Sequence, residues 1–327
     1  MAVYTRVERG ELENLVGALS LGELVSFEGV ADGLENTTYF LRTRKFGGPV
    51  GVSDEWVLTV LESADYTGIP FVVTLAAFLK TAGLPVPDFV ADRHGCRQLS
   101  VAGKPALLAP RMAGQHLEQV LPKHCAEIGA FLGRMHRRGK AFAGRRENPY
   151  GLSWSRQVLV ELSPVLPSAD VELVRGQQGG QAALQALAGS VHALPAGAIH
   201  ADLFRDNALF LGDKLSAVID FQGACTDWLL LDVAIALNDW ASRPDGEVDA
   251  ARALPLLEAY AAHRPFSHSE YDAWQAVCCI AAQQFWLSRL ATRQRQPLEL
   301  TGRPSKDPAQ FRRILLHRIN RVPDLPR

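Results

Sequence analysis

The chain has 327 residues, 47% of them apolar, and its 34 Lys and Arg against 35 Asp and Glu leave a net charge of −1. That length suits two lobes with sizeable cores, and the charge balance excludes the broad basic face of a general nucleic-acid binder. No run reaches the roughly 18 apolar residues of a membrane span, the start Met1-Ala2-Val3-Tyr4-Thr5-Arg6 lacks a signal-peptide core, and Cys96, Cys125, Cys225, Cys278 and Cys279 show neither a CxxC pair nor zinc spacing with histidine. The expectation is a cytoplasmic protein with reduced thiols, acting on a small molecule, with no nucleic-acid or membrane partner.

In chain order, residues 11–19 suit a short helix and 25–30 a strand, followed by a turn at 31–36. The β-branched and aromatic run 37–43 is a second strand and 56–61 a third. Three glycines and a proline make 45–54 a loop. Phe71, Leu75, Phe78 and Leu79 recur at helical spacing, and Gly83, Pro85 and Pro87 end that helix. Strands at 96–101 and 104–109 complete a five-stranded antiparallel lobe, residues 1–109.

Past Pro110 the pattern turns helical. Ile128, Phe131, Leu132 and Met135 mark one buried face behind Pro122. Residues 228–240 and 271–290 are strongly apolar helices. Between them and the first helix, residues 139–196 are rich in Gly, Pro and Gln and should hold a helix or two between loops. This second lobe, residues 110–327, would be the larger and mostly helical one, giving an α+β bilobal chain.

Within it, His200-Ala201-Asp202-Leu203-Phe204-Arg205-Asp206-Asn207 follows an apolar stretch, and Ile219-Asp220-Phe221 stands thirteen residues beyond Asn207. Residues 208–211 and 215–219 read as two short strands around a Gly-Asp-Lys turn. Loop, hairpin and terminal aspartate match the catalytic and metal-binding pattern of kinase-type folds. Phosphoryl transfer needs a carboxylate to orient a hydroxyl and take its proton, and hard oxygens to hold Mg²⁺. Asp202 is expected to be that base, and Asn207 and Asp220 the metal ligands. His200 reads as a scaffold residue bonded to backbone. Arg205 would either contact the phosphate or a substrate carboxylate bidentately or form a surface salt bridge.

The lobes, the Gly33 to Phe40 stretch, Trp56 to Glu62, Gly83 to Pro87, Gly103 to Leu108, the 200–207 loop and Asp232 to Trp240 together resemble the protein-kinase-like small-molecule kinases, and in the FRDN and LNDW wording the bacterial homoserine kinases. The resemblance covers nearly the whole chain. It implies a bilobal protein-kinase-like fold, ATP and Mg²⁺ as cofactors, and L-homoserine phosphorylated to O-phospho-L-homoserine on the way to threonine. It makes the turn from Gly33 to Asn36 a phosphate-covering loop, puts the adenine near backbone groups of Ala109, Arg111 and Met112, and admits a monomer or homodimer. Thr59 stands where the wider pattern has a phosphate-binding lysine, and the helix after it has no glutamate. Arg42, Arg44 or Lys45 would supply that charge or stand as solvated strand-edge cations. For an amino-acid substrate, Asp239 is the candidate for the ammonium and Arg289 for the carboxylate, an intrahelical or interhelical ion pair being the alternative for each. Trp228, Trp240, Trp274 and Trp286 read as core rather than an aromatic cage. Other readings are an aminoglycoside, choline or methylthioribose kinase, or a silent nucleotide-binding pseudokinase.

Overall fold

The computed structural model describes residues 5–30, 36–46, 53–62, 67–186, 193–295 and 306–327, and the chain divides into two compact units, Met1–Ala113 and Gly114–Arg327. The first unit holds α1 (Arg9–Ala18), β1 (Glu23–Val30), β2 (Thr37–Arg44), β3 (Asp54–Val60), α2 (Ile69–Thr81), β4 (Leu99–Val101) and β5 (Lys104–Pro110). Its strands form one antiparallel sheet in the order β1-β2-β3-β5-β4.

Alternation along the strands gives this sheet two different faces. Tyr39, Leu41, Leu58, Val60, Ala106 and Leu108 pack with Leu12 and Val16 of α1. On the opposite face, Leu61 and Leu107 pack with Ile69 and Val73 of α2. Burying each such aliphatic side chain is worth about 1.5–3 kcal/mol, which suffices to fix α1 despite its modest length. Pro70 in the first turn of α2 costs nothing, because that amide has no intrahelical acceptor. The strand expected from residue 96 begins only at Leu99. Asp92 Oδ1 accepts the amides of His94 and Cys96, both at 2.8 Å, and this side-chain turn takes up the preceding backbone.

The second unit holds α3 (Pro122–Gly139), α4 (Leu152–Leu162), α5 (Ser168–Ala186), β6 (Ala196–Ile199), β7 (Ala208–Leu211), β8 (Lys214–Val218), β9 (Cys225–Trp228), α6 (Leu229–Trp240), α7 (Ala250–His263), α8 (His268–Arg295) and α9 (Pro308–Asn320). β6 pairs with β9 and β7 with β8. Every residue of α6 is buried, so this helix is the axis of the unit. α3 lies against α7 through Gly129 and Gly133, four apart on one face. A Cβ at Gly129 would stand 1.9 Å from Leu256 O, and one at Gly133 2.7 Å from Tyr260 O. Trp228, Trp240, Trp274 and Trp286 are all buried core residues. All five cysteines are free; Cys96 is exposed and the other four are buried. Among the described residues no helix is long and apolar enough to cross a membrane.

Candidate active site

The 200–207 loop leaves β6 through Ala201, whose φ of 64° is the left-handed conformation that costs a non-glycine residue roughly 1–2 kcal/mol. Asp232 of α6 holds it there. One carboxylate oxygen accepts the His200 amide and the other the Ala201 amide, each at 2.9 Å. His136 Nε2 lies 3.0 Å from the same carboxylate, and its Nδ1 lies 2.9 Å from Tyr260 Oη. Tyr260 in turn accepts from Arg264, which is paired with Glu270. Full burial would raise the Asp232 pKa, but the hydrogen bond and charge of His136 and the loop amide outweigh it and hold the carboxyl below its ordinary value. Sequence reading missed Asp232 and His136, because their role exists only once α3, α6 and the loop meet.

His200 is the scaffold residue expected. Its Nε2 donates to Ile219 O at 3.0 Å, its Nδ1 accepts the Asp202 amide at 3.3 Å, and burial lowers its pKa, keeping the ring neutral. Asn207 Nδ2 donates to the Asp202 carbonyl at 2.8 Å and to Asp202 Oδ2 at 2.9 Å. Its amide nitrogen is thereby committed, and the carbonyl oxygen is the donor it can offer a metal. Asp220 follows β8 with a φ of 61° and its Oδ1 accepts the Gln222 amide at 3.4 Å. The next turn is tied down by Arg146, whose guanidinium donates to Gln222 O at 2.7 Å and Ala224 O at 2.8 Å. A Cβ at Gly223 would stand 3.6 Å from Asp202 Cβ, so the Asp220 turn packs directly on the loop. The structure thus brings Asp202, Asn207 and Asp220 together.

These residues fit Mg²⁺. Asp220 keeps solvent contact, yet the protein crowded around its carboxyl desolvates it and raises its pKa, outweighing the Gln222 amide that its Oδ1 accepts. A divalent cation would supply the missing compensation. The donors are hard oxygens, and Mg²⁺ is commonly held by one or two such side chains plus substrate phosphates. Among the described residues, no group of three or more His, Cys, Asp or Glu is placed to hold a metal.

Arg205 takes the salt-bridge alternative, and its partner is Asp239, the ammonium candidate. Asp239 accepts the Arg205 amide at 2.9 Å, its Nε at 3.1 Å and a terminal nitrogen at 3.4 Å. The neighbours of Asp239 reinforce the arrangement. Trp240 Nε1 donates to Leu203 O at 3.0 Å, while Asn238 bonds Cys278 O at 3.0 Å and accepts Arg318 Nε at 2.8 Å. The LNDW segment therefore organises the loop from beneath. Arg289 of α8 donates to Asp307 O at 3.0 Å and Gln310 Oε1 at 2.8 Å and lies 4.4 Å over the Phe311 ring. Burial lowers its pKa, while Asp239, Asp206, Asp307 and Asp202 pull the other way, which places its charge near the loop carboxylates. A cation unforeseen from sequence, Lys306, is ion-paired with Asp206.

In the first unit, Gly33 lies outside the described residues. Asn36 Oδ1 accepts the Glu62 amide at 3.1 Å. Thr59 pairs with Thr38 and Leu107 on the α2 face of the sheet. Lys104 pairs with Glu62 and bonds Thr5 Oγ1 at 2.8 Å, but its strand position shares the α1 face with Ala106 and Leu108, opposite Thr59. Arg42 and Arg44 are paired with Glu55 and Glu23. Ala109 is in register with Val57. Arg111 spends its amide on Glu55 O at 2.9 Å and stacks its guanidinium 4.2 Å over Phe40. Pro110 has no amide hydrogen, so the next candidate donor for an adenine is the half-buried Met112.

A five-stranded antiparallel unit, a mostly helical unit carrying Asp202 and Asn207 on one loop, and Asp220 after the following hairpin define a kinase-like phosphotransferase. Residues 26–266 match the phosphotransferase enzyme family, and the chain belongs to it as an ATP-dependent kinase. Its full-length relatives include a homoserine kinase of Pseudomonas aeruginosa (strain LESB58), 39% identical with 100% of this chain and 99% of that protein covered. One from Methylobacillus flagellatus is 38% identical over 98% and 96%. The chain is thus a member of the homoserine kinase family. Among solved structures, an amicoumacin kinase in complex with AMP-PNP and Ca²⁺ is similar at a TM-score of 0.69 and 17% identity, covering 98% of this chain and 95% of that one. A microcompartment-associated aminopropanol kinase is similar at 0.63 and 18%, covering 94% of each. At these identities the structures share the fold.

Proposed function

We propose that the chain transfers the γ-phosphoryl group of ATP to the side-chain hydroxyl of L-homoserine, acting with Mg²⁺ in the cytoplasm. The observation that carries this reading is the Asn207 amide bonded to Asp202 Oδ2 at 2.9 Å, with the turn that follows Asp220 packed on Asp202 through Gly223, in a chain 39% identical over its length to a homoserine kinase. Asp202 orients the hydroxyl and takes its proton as the oxygen–phosphorus bond forms. Asn207 and Asp220 would hold Mg²⁺, which when bound neutralises charge on the β- and γ-phosphates. Arg289, facing the loop carboxylates from α8, receives the substrate carboxylate. Asp239 already carries Arg205, so it favours the ammonium by negative potential more than by a vacant oxygen. Free cysteines throughout suit a reducing compartment.

A coupled ADP-release assay over homoserine, choline, an aminoglycoside and methylthioribose tests the proposal. Turnover confined to homoserine supports it; turnover with another alcohol reassigns the substrate. No turnover with any of them would make the chain a nucleotide-binding pseudokinase.

A further inference from the structure

Phosphoryl transfer spreads negative charge over the oxygens of the moving group, and a cation aimed at them is a major part of catalysis. Thr59 on β3 carries no charge, and Lys104 is committed to Glu62 on the opposite sheet face. Around the catalytic loop, three cations are held by directional contacts. Arg205 is fixed by Asp239, Arg146 by two backbone carbonyls, and Arg289 by Asp307 O, Gln310 and the Phe311 ring.

Lys306 differs in kind. It stands just ahead of α9, and its ammonium rests on Asp206, the residue between Arg205 and Asn207. It also lies 5.6 Å over the ring of Phe204, two positions past Asp202. The Lys306 side chain is 40% exposed and that of Asp206 63%, so the pair is wet and readily opened. A lysine has a flexible stem and three rotatable donors, which suits a charge that must change partners. Its positive charge also pulls the Asp220 carboxyl down, against the rise that burial causes.

We infer that Lys306 is a catalytic residue: with Mg·ATP bound, its ammonium moves from Asp206 to the γ-phosphoryl group and supplies a cation there. The reaction balances without a change in Lys306. The acceptor oxygen bonds phosphorus, Asp202 takes its proton, the bond to the β-phosphate oxygen breaks and ADP leaves, while the ammonium keeps its protons. The inference rests on the phosphotransferase reading and is independent of which alcohol is the acceptor.

The test is Lys306→Met beside Lys306→Arg. Calorimetry without any acceptor compares Mg·AMP-PNP with Mg·ADP, and steady-state kinetics gives kcat and the homoserine KM. Lys306→Met is expected to weaken Mg·AMP-PNP about tenfold with Mg·ADP unchanged, to lower kcat about 10²-fold, the scale of one lost charge-stabilising group, and to leave the homoserine KM within about threefold. Lys306→Arg should restore most of the AMP-PNP affinity. An unchanged ratio of AMP-PNP to ADP affinity overturns the inference. A raised homoserine KM with that ratio intact would assign the ammonium to the substrate carboxylate instead. Because the binding ratio needs no acceptor, it separates failure of this inference from failure of the homoserine assignment.

Discussion

Asp239 grips Arg205 twice, taking its backbone amide at 2.9 Å and its guanidinium Nε at 3.1 Å. The end of α6 thereby fixes the backbone two residues before Asn207. Asp239→Ala leaves both donors without that acceptor, a loss of about 1–3 kcal/mol. Melting temperature and kcat should both fall, kcat by at least about tenfold because positioning dominates this chemistry. An unchanged kcat would show that the loop keeps its geometry without the clamp.

Asp202→Asn retains the volume of the side chain and removes the base. kcat should drop by at least about a hundredfold, with Mg·ATP and homoserine affinities within a few-fold of the parent. Single-turnover kinetics at saturating substrates checks this, and near-parental turnover would remove Asp202 from the role.

Acid should destabilise the second unit in two stages. His200 is kept neutral by burial, so its folded pKa lies below the unfolded value of about 6.5. Its contribution is present above that pH and is lost as pH falls below it, since the unfolded chain takes up the proton first. Asp232 is also depressed; its contribution holds above the unfolded value of about 3.9 and disappears as pH falls through the folded one. Thermal melts from pH 8 to 3 should show both stages, and His200→Gln should flatten the upper one alone. A melting profile identical to the parent's would contradict this.

The same substitution should have opposite signs on two helices. Gly129→Ala drives a methyl into Leu256 O, where backbone cannot yield cheaply; overpacking of this kind costs about 1–3 kcal/mol or more. Gly176→Ala on α5 meets nothing within 4 Å and should stabilise by up to about 1 kcal/mol through helix propensity. Paired melting curves decide it: a fall for Gly129→Ala and a small rise for Gly176→Ala.

Much of the fold was legible because local pattern and tertiary role coincide. The alternation in 37–43 and the helical spacing from Phe71 and from Ile128 produced β2, α2 and α3 at nearly the expected bounds. α7 carries Pro255 inside it, which conceals its helical period, and α9 has its clearest local signal at its start. There Asp307 accepts the Ala309 amide and Pro308 opens the first turn, a readable cap. In the site, Asp202, Asn207 and Asp220 are close in sequence and carry their own pattern. Arg205 with Asp239, Ala201 with Asp232, and Asp206 with Lys306 are separated by 34, 31 and 100 positions, and nothing local announces which charge meets which.

The distribution of thiols makes the native chain a single-label reagent. Cys125, Cys225, Cys278 and Cys279 are buried, and desolvation pushes their thiols up, Cys125 to about 12 and Cys279 to about 11. Thiolate is the reactive form, so a maleimide dye at neutral pH should find Cys96 alone, on the loop ahead of β4. A fluorophore placed there marks the first unit without mutagenesis.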